Sequence, residues 1–242
     1  MKLTIEEIFS IEHTRIVGAE AAKKANVSGV STDSRSIASG NVFVAIRGEK
    51  FDGHNFISAA VQAGAGVIVL EQSWAEKNQA MLISLNRTIV IVVDTTKALG
   101  ELARIHRRKF RIPVIAIGGS NGKTTTKDML RAVLAKKFDV LATEGNLNNH
   151  IGVPQTLFKL EKKHSIAVVE IGTNHPGEIA HLCEVLEPTH GIITNIGREH
   201  LEYFGSLKGV AAAECELFSW LAKHKGTAFI NADDGLLKQH TK

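Results

Sequence analysis

The stretch 113–130, PVIAIGGSNGKTTTKDML, decides how the chain is read. An apolar run, VIAI, turns at GGSNG and re-emerges as KTTTKDML, which has a helical pattern. A buried strand, a glycine turn and a helix start bring backbone N–H groups, a helix N-terminus and one lysine to a point. That arrangement holds phosphate oxygens. The general spacing G-x-x-x-x-G-K-[ST] does not fit, because the position five before Gly122 is Ile117, inside the strand. Gly118, Gly119 and Gly122 still permit the sharp turn and close backbone approach. A plain strand-to-helix turn would not require Lys-Thr-Thr at the helix start.

Outward from this loop, strands and helices alternate. Downstream come DVLAT, the polar loop EGNLNNHIGVP and a helix around QTLFKL. IAVVEIG, GIITNIG and TAFINAD follow as three buried strands, with the helices GEIAHLCEVL and SLKGVAAAECELFSWLAKH between them. The helix after the loop is expected to turn Met129, Leu130, Val133, Leu134 and Phe138 to one side. Upstream, NVFVAI, GVIVL and TIVIVVD read as strands, and LTIEEIF, HNFISAAVQAG and TTKALGELARIHRRKF as helices, the last capped by Thr95 or Thr96. The alternation predicts an α/β protein with parallel sheets covered by helices on both faces. It divides into a small N-terminal domain, 1–110, and a phosphate-loop domain, 111–242.

Of the 242 residues, 44% are hydrophobic and 22% charged, as in a soluble globular protein. The net charge of +4 is mild, and its densest cluster, RIHRRKF at 104–110, sits on a helical pattern. One Tyr, two Trp and ten Phe make no basic–aromatic ladder for single strands. An anionic small molecule suits this balance, and no nucleic acid is expected. Cys183 and Cys215 lack metal-site or disulfide spacing. The first residues, MKLTIEEIFSIEHTR, carry acids in their apolar run and read as no signal peptide. No apolar segment reaches spanning length, so no membrane insertion is expected and the cytoplasm is the default compartment.

The loop GSNGKTTT resembles that of the Mur ligases, which is one residue shorter than the general rule. The resemblance extends along the chain. STDSRSIASGNVFVAIRGEKFDGHNFI resembles the family's uridine-nucleotide-binding domain. EGNLNNHIGVPQTL, EIGTNHPGEI, ITNIGREHLEYFGS and NADD resemble its ATP-binding domain. The implied function is ATP-dependent amide-bond formation through an acyl phosphate, in peptidoglycan precursor synthesis, with ATP and Mg2+ as cofactors. The implied substrates are UDP-N-acetylmuramoyl-tripeptide and D-alanyl-D-alanine, handled by a cytoplasmic monomer. Two alternatives are a ligase adding lysine or diaminopimelate to the dipeptide precursor, and a non-catalytic protein that binds the precursor.

By the same resemblance, Gly119, Ser120, Asn121, Gly122, Lys123, Thr124, Thr125 and Asn231 bind ATP, with Lys123 on the β/γ-phosphates and Asn231 at the adenine edge. Thr124, Glu170, His200 and Glu214 are the expected metal set, and Lys123, Glu170, His200 and Glu214 the catalytic one. Ser31, Thr32, Asp33, Ser34, Arg35 and Arg47 would surround the uridine diphosphate. Asn146, Asn148 and Asn149 would meet the muramoyl part. Asn195 is expected to orient the site, with weaker claims for Asn174 and His175. Read without the resemblance, these are a strand-end acid, a lone histidine and turn-forming asparagines.

Two positions depart from the family pattern. Gly118 stands where a threonine is usual, and Glu214 where a lysine, carbamylated to present a carboxylate, is usual. Glu214 already carries a carboxylate, on a shorter arm, and is expected to serve the metal directly or through water. The family's C-terminal ligase domain has no counterpart after Lys242, so this chain is expected to bind ligands and turn over poorly alone.

Overall fold

Short runs of Val, Ile, Leu and Phe bounded by turn residues become the strands of two sheets in the computed structural model, which describes residues 3–18, 27–48 and 51–239. The chain divides into two compact units, Met1–His106 and Arg107–Lys242. Arg107 opens the second, where its buried guanidinium donates to the carbonyls of Phe110, Leu186 and Glu187.

In the first unit, β1 (Arg15–Val17), β2 (Val30–Ser31), β3 (Val42–Val44), β4 (Val67–Glu71) and β5 (Thr88–Val92) form a sheet of order β1-β5-β4-β3-β2. All neighbours are parallel except β1, which runs antiparallel to β5. Every residue of β3 and β5 is buried, as expected of parallel strands covered on both faces. Phe43, Ile68, Leu70, Ile89 and Ile91 make the core with Ile57 and Ala60 of the helix Ile57–Gln62. The helix Ile5–Phe9 starts with a capping box between Thr4 and Glu7. The cap of the helix Thr95–Arg107 is Asp94, not Thr95 or Thr96. Its Oδ1 accepts from the N–H groups of Thr96 and Lys97, and a carboxylate at the cap satisfies two orphan donors at once.

In the second unit, β6 (Val114–Gly118), β7 (Val140–Ala142), β8 (Ile166–Glu170), β9 (His190–Ile193) and β10 (Thr227–Ile230) form an all-parallel sheet of order β10-β9-β6-β8-β7. Central β6 and β8 are buried throughout. The strand β10 reads as buried in sequence, yet all of its residues are exposed. It lies at the sheet edge, hydrogen-bonded to β9 alone, with Phe229 and Ile230 open to solvent.

A second expectation also fails, on the helix Lys123–Leu134. Leu130 and Leu134 pack against β6 and β8, but Met129 and Val133 are exposed. The buried stripe includes Lys127, because the loop fixes the helix with Thr124 turned to the sheet, and position 127 lies one turn along that face.

Both cysteines are buried and unbridged. Burial pushes the Cys183 thiol up to about 12 and the Cys215 thiol up to about 11. Among the described residues no helix is long and apolar enough to cross a membrane.

Candidate active site

The phosphate-loop sequence leaves the carboxyl end of β6, the central strand, where ligands bind in open parallel sheets. Gly119 has φ +110° and Gly122 φ +81°, the left-handed region that glycine adopts freely. The loop is laced to the segment after β9. Ser120 N–H donates to Asn195 O at 3.0 Å, and Gly197 N–H donates to Ser120 Oγ at 2.7 Å. Asn195 holds Asn121 at both backbone groups, accepting its N–H on Oδ1 (3.3 Å) and donating Nδ2 to its carbonyl (2.9 Å). The Thr194 hydroxyl donates to the same carbonyl at 2.7 Å. Asn195, which was expected to orient the site, thus ties the loop backbone to the segment after β9.

Lys123 opens the following helix, and its ammonium donates to the carbonyls of Gly119 (2.5 Å) and Ser120 (3.3 Å). Thr124 Oγ1 donates to Glu170 Oε2 at 2.9 Å, while Asn148 Nδ2 donates to Glu170 Oε1 at 2.9 Å. Glu170 is the last residue of β8 and is buried. Thr124, Glu170 and Asn148 are thus drawn together from a helix, a strand tip and a loop. Thr124 and Glu170 were expected at one metal, whereas Asn148 was expected at the muramoyl part of the substrate. Thr125 continues the same first turn, whose N–H groups have no acceptor within the helix. Asn149 acts locally instead. Its Oδ1 accepts from Ile151 and Gly152 N–H and starts the helix Gly152–Leu157. Asn146 is exposed in the same loop.

The four expected metal ligands do not form one cluster. Among the described residues no three His, Cys, Asp or Glu side chains come together as a metal site. Thr124 and Glu170 form a pair, and no hydrogen bond joins His200 or Glu214 to it. His200 starts the short helix Leu201–Phe204 with φ +47°, and its Nδ1 lies 3.9 Å from Glu202 Oε1. Glu214, 1% exposed at the end of the helix Leu207–Glu214, accepts the Gly119 N–H on Oε2 at 2.7 Å. Its Oε1 is buried with no partner. Burial pushes this carboxyl up from 4.5 to about 7, against the opposing pull of the Gly119 N–H and Lys123.

A raised glutamate means that the folded chain holds a proton the unfolded one has released between pH 4.5 and about 7. Stability from this group is therefore whole below that window and falls as pH rises through it. Glu214→Gln, measured by urea unfolding in magnesium-free buffer, should match the parent chain near pH 4.5. At pH 8 it should exceed it by about 1–3 kcal/mol. A variant less stable than the parent at pH 8 would contradict this electrostatic account.

The Asn231 side chain is held at both ends, Nδ2 donating to Thr194 O (2.9 Å) and Oδ1 accepting from Asp233 N–H (3.0 Å). Asp234 accepts from Ile196 N–H, so the NADD tip is stapled to the segment that holds the loop. Asn174 and His175 donate their N–H groups to Glu178, and the His175 ring lies 4.2 Å from that of Tyr203.

In the first unit the expected residues also lie at carboxyl ends of parallel strands. Asp33 N–H donates to Ser31 Oγ, and Asp33 caps the turn Ser34–Ser36, with Thr32 between them. Arg35 grips the Asp33 carboxylate with two guanidinium nitrogens, and that guanidinium holds the carboxyl down at about 2. Arg47 pairs with Asp52 (3.3 Å) and Glu71 (3.0 Å). The sequence reading missed His54, which is buried, joined through Nδ1 to Asp52 (2.6 Å) and accepting Glu71 N–H on Nε2 (3.0 Å). The turn DGH at 52–54 was its only trace. It also missed Lys127, whose buried ammonium donates to Thr143 O at 2.9 Å. The Thr143 hydroxyl in turn accepts Glu170 N–H. Its position one turn after Thr124 was the available signal.

Residues 117–242, more than half of the chain, match the Mur ligase middle domain, and residues 26–107 match the domain described as Mur ligase family, catalytic domain. The chain belongs to the Mur ligase family. It is 38% identical over 234 residues to the UDP-N-acetylmuramoyl-tripeptide–D-alanyl-D-alanine ligase of Escherichia coli (strain K12), covering 97% of this chain and 49% of that protein. It superimposes on MurF from Acinetobacter baumannii with a TM-score of 0.88 at 34% identity, covering 99% of this chain and 51% of that one. MurF ligase from Thermotoga maritima in complex with ADP gives 0.77 at 32% identity, covering 88% and 48%. The chain spans about half the length of the relatives it matches.

Proposed function

We propose that the two units are the precursor-binding and ATP-binding parts of a ligase that adds D-alanyl-D-alanine to UDP-N-acetylmuramoyl-tripeptide in peptidoglycan precursor synthesis. On this reading the protein serves cell-wall biogenesis, cell shape and division as a cytoplasmic monomer. The observation that carries it is the meeting of Lys123, Thr124, Glu170 and Asn148 around a glycine loop at the head of a parallel sheet. The names of the similar proteins supply the substrates.

The loop N–H groups and the helix start would cradle the β- and γ-phosphates, with Lys123 turning from its loop carbonyls to phosphate oxygen. Thr124 Oγ1 and Glu170 Oε2 are hard oxygen donors, and magnesium characteristically takes one or two carboxylates plus substrate phosphates. These two atoms would hold it, and Asn148 would keep the Glu170 carboxylate turned toward Thr124. Bound there, the ion would supply neutralisation of phosphate charge. The substrate carboxylate would attack the γ-phosphorus, breaking its bond to the β-phosphate oxygen so that ADP leaves and an acyl phosphate remains. His200 and the free oxygen of Glu214 are the remaining expected contributors. In the first unit, Ser31, Thr32, Asp33, Ser34, Arg35 and Arg47 would receive the uridine diphosphate, the two arginines exchanging carboxylate partners for phosphate oxygens. Asn146 and Asn148 would face the muramoyl group, and Asn231 the adenine.

A second reading, a precursor-binding protein without ligase activity, is favoured by one observation: a Glu214 oxygen is engaged by the loop backbone. Calorimetric titration of the chain with UDP-N-acetylmuramoyl-tripeptide, then with the dipeptide form, each with and without magnesium-ATP, tests the proposal. Tight binding of the tripeptide form alone is expected. Preference for the dipeptide form would reassign the chain to the ligase that adds lysine or diaminopimelate. Binding of neither, with ATP still bound, would remove the first unit's assigned role. Phosphate release on adding D-alanyl-D-alanine separates the catalytic from the non-catalytic reading.

A further inference from the structure

Gly119 is gripped from both sides. Its N–H donates to Glu214 Oε2 at 2.7 Å, and its carbonyl accepts the Lys123 ammonium. A loop that binds phosphate with its backbone N–H groups would ordinarily aim this donor at the ligand. Here a side chain 95 residues away in sequence takes it. That side chain is 1% exposed, and its second oxygen has no partner. A buried carboxylate with one bond has little to hold it elsewhere, so the Gly119 N–H fixes the carboxylate as much as the carboxylate fixes the loop.

The residue before it completes the arrangement. A Cβ built on Gly118 would stand 2.8 Å from Glu214 Oε2, the same oxygen that accepts the Gly119 N–H, and its next neighbour, Ile171 Cγ1, is 3.8 Å away. Gly118 has no positive φ, so backbone conformation does not demand glycine there. Space does, and the space is filled by one atom. A side chain at 118 therefore requires the Glu214 carboxylate, which accepts the Gly119 N–H through that same oxygen, to shift.

We propose that Glu214 is a positioning residue of the phosphate loop, acting through the Gly119 N–H to set the loop and the resting place of the Lys123 ammonium, and that Gly118 and Glu214 are an interdependent pair. The inference rests on reading 118–124 as a phosphate loop, and its role there is distinct from contact with metal.

The test is a double-variant cycle on the full chain: Gly118→Ala, Glu214→Ala, both together, and Glu214→Gln. Three quantities are read: magnesium-ADP affinity by calorimetry, thermal unfolding without nucleotide, and hydrogen exchange of the Gly119 amide. Glu214→Ala should weaken magnesium-ADP binding about tenfold and speed Gly119 exchange by a similar factor. Glu214→Gln keeps an acceptor oxygen and should recover most of both losses. Gly118→Ala should reproduce the loss in the parent chain but change less than about twofold once Glu214 is alanine. If Gly118→Ala alone does not fold, a folded double variant demonstrates the same coupling. A Gly118→Ala effect of equal size in both backgrounds overturns the pairing. Unchanged Gly119 exchange in Glu214→Ala, or no recovery in Glu214→Gln, overturns the positioning role. Should the parent chain bind no magnesium-ADP, the proposed function fails, while unfolding and exchange still decide this inference.

Discussion

Lys123→Ala should weaken magnesium-ATP binding by about 100-fold, corresponding to ~3 kcal/mol, with little change in thermal stability. The ammonium is the one cation at the start of the helix Lys123–Leu134, and it rests on the Gly119 and Ser120 carbonyls, within the loop that would wrap the phosphates. Truncation removes a charge-assisted contact to a dianionic group in a partly desolvated site, where such contacts have their largest effect. Alanine suits a first-turn helical position, so the fold loses only the two carbonyl contacts. Lys123→Arg should recover little, because a planar fork cannot occupy the compact place of an ammonium between two loop carbonyls. Calorimetry on both variants, with far-UV circular dichroism as the control for folding, checks this. An affinity within about threefold of the parent chain would remove the loop from nucleotide binding.

The second large effect is steric. Gly119→Ala places a Cβ 2.3 Å from Thr194 Oγ1 and 2.8 Å from Thr194 N, at a residue whose φ of +110° already disfavours any side chain. Thr194 cannot retreat, since its N–H donates to Gly118 O and its hydroxyl to Asn121 O. A loss of about 3 kcal/mol or more is expected, seen as a fall in melting temperature of roughly 10 °C or as failure to fold. Gly122→Ala is the comparison. That residue also has positive φ, at +81°, but nothing lies within 4 Å of its added Cβ. It should cost only about 1–2 kcal/mol of backbone strain. Equal melting temperatures for the two variants would show that crowding at Thr194 is not what requires glycine at 119.

Much of this arrangement was legible because it is local. Apolar runs marked β3 to β9, and the glycine spacing marked the loop. A carboxylate ending a buried strand pointed to Glu170. What was hidden depends on tertiary register. Nothing near Glu214 in sequence indicates that its carboxylate ends at the Gly119 N–H, because the helix carrying it reaches the loop only once β9 is laid beside β6. The two departures from the family pattern, Gly118 and Glu214, looked unrelated in sequence, yet they are in contact. Lys127 reads as a solvent-facing lysine until the loop sets the helix's rotation, which buries it and exposes Met129 and Val133. The edge position of β10 was hidden for a similar reason: apolar composition marks a strand, while its exposure depends on which strands lie beside it. Asp52, His54 and Glu71 join the ends of elements that sequence order keeps apart.

The state of the two cysteines has a practical consequence. Thiol reagents attack the thiolate, and groups held near 12 and 11 present almost none of it at neutral pH, behind walls that leave Cys183 wholly covered and Cys215 nearly so. The native chain should therefore react little with maleimide dyes. A cysteine introduced at exposed Ile83 in one unit and another at exposed Met129 in the other would carry the only labels. Fluorescence transfer between them could then follow the units during a binding cycle without first removing a native sulfur.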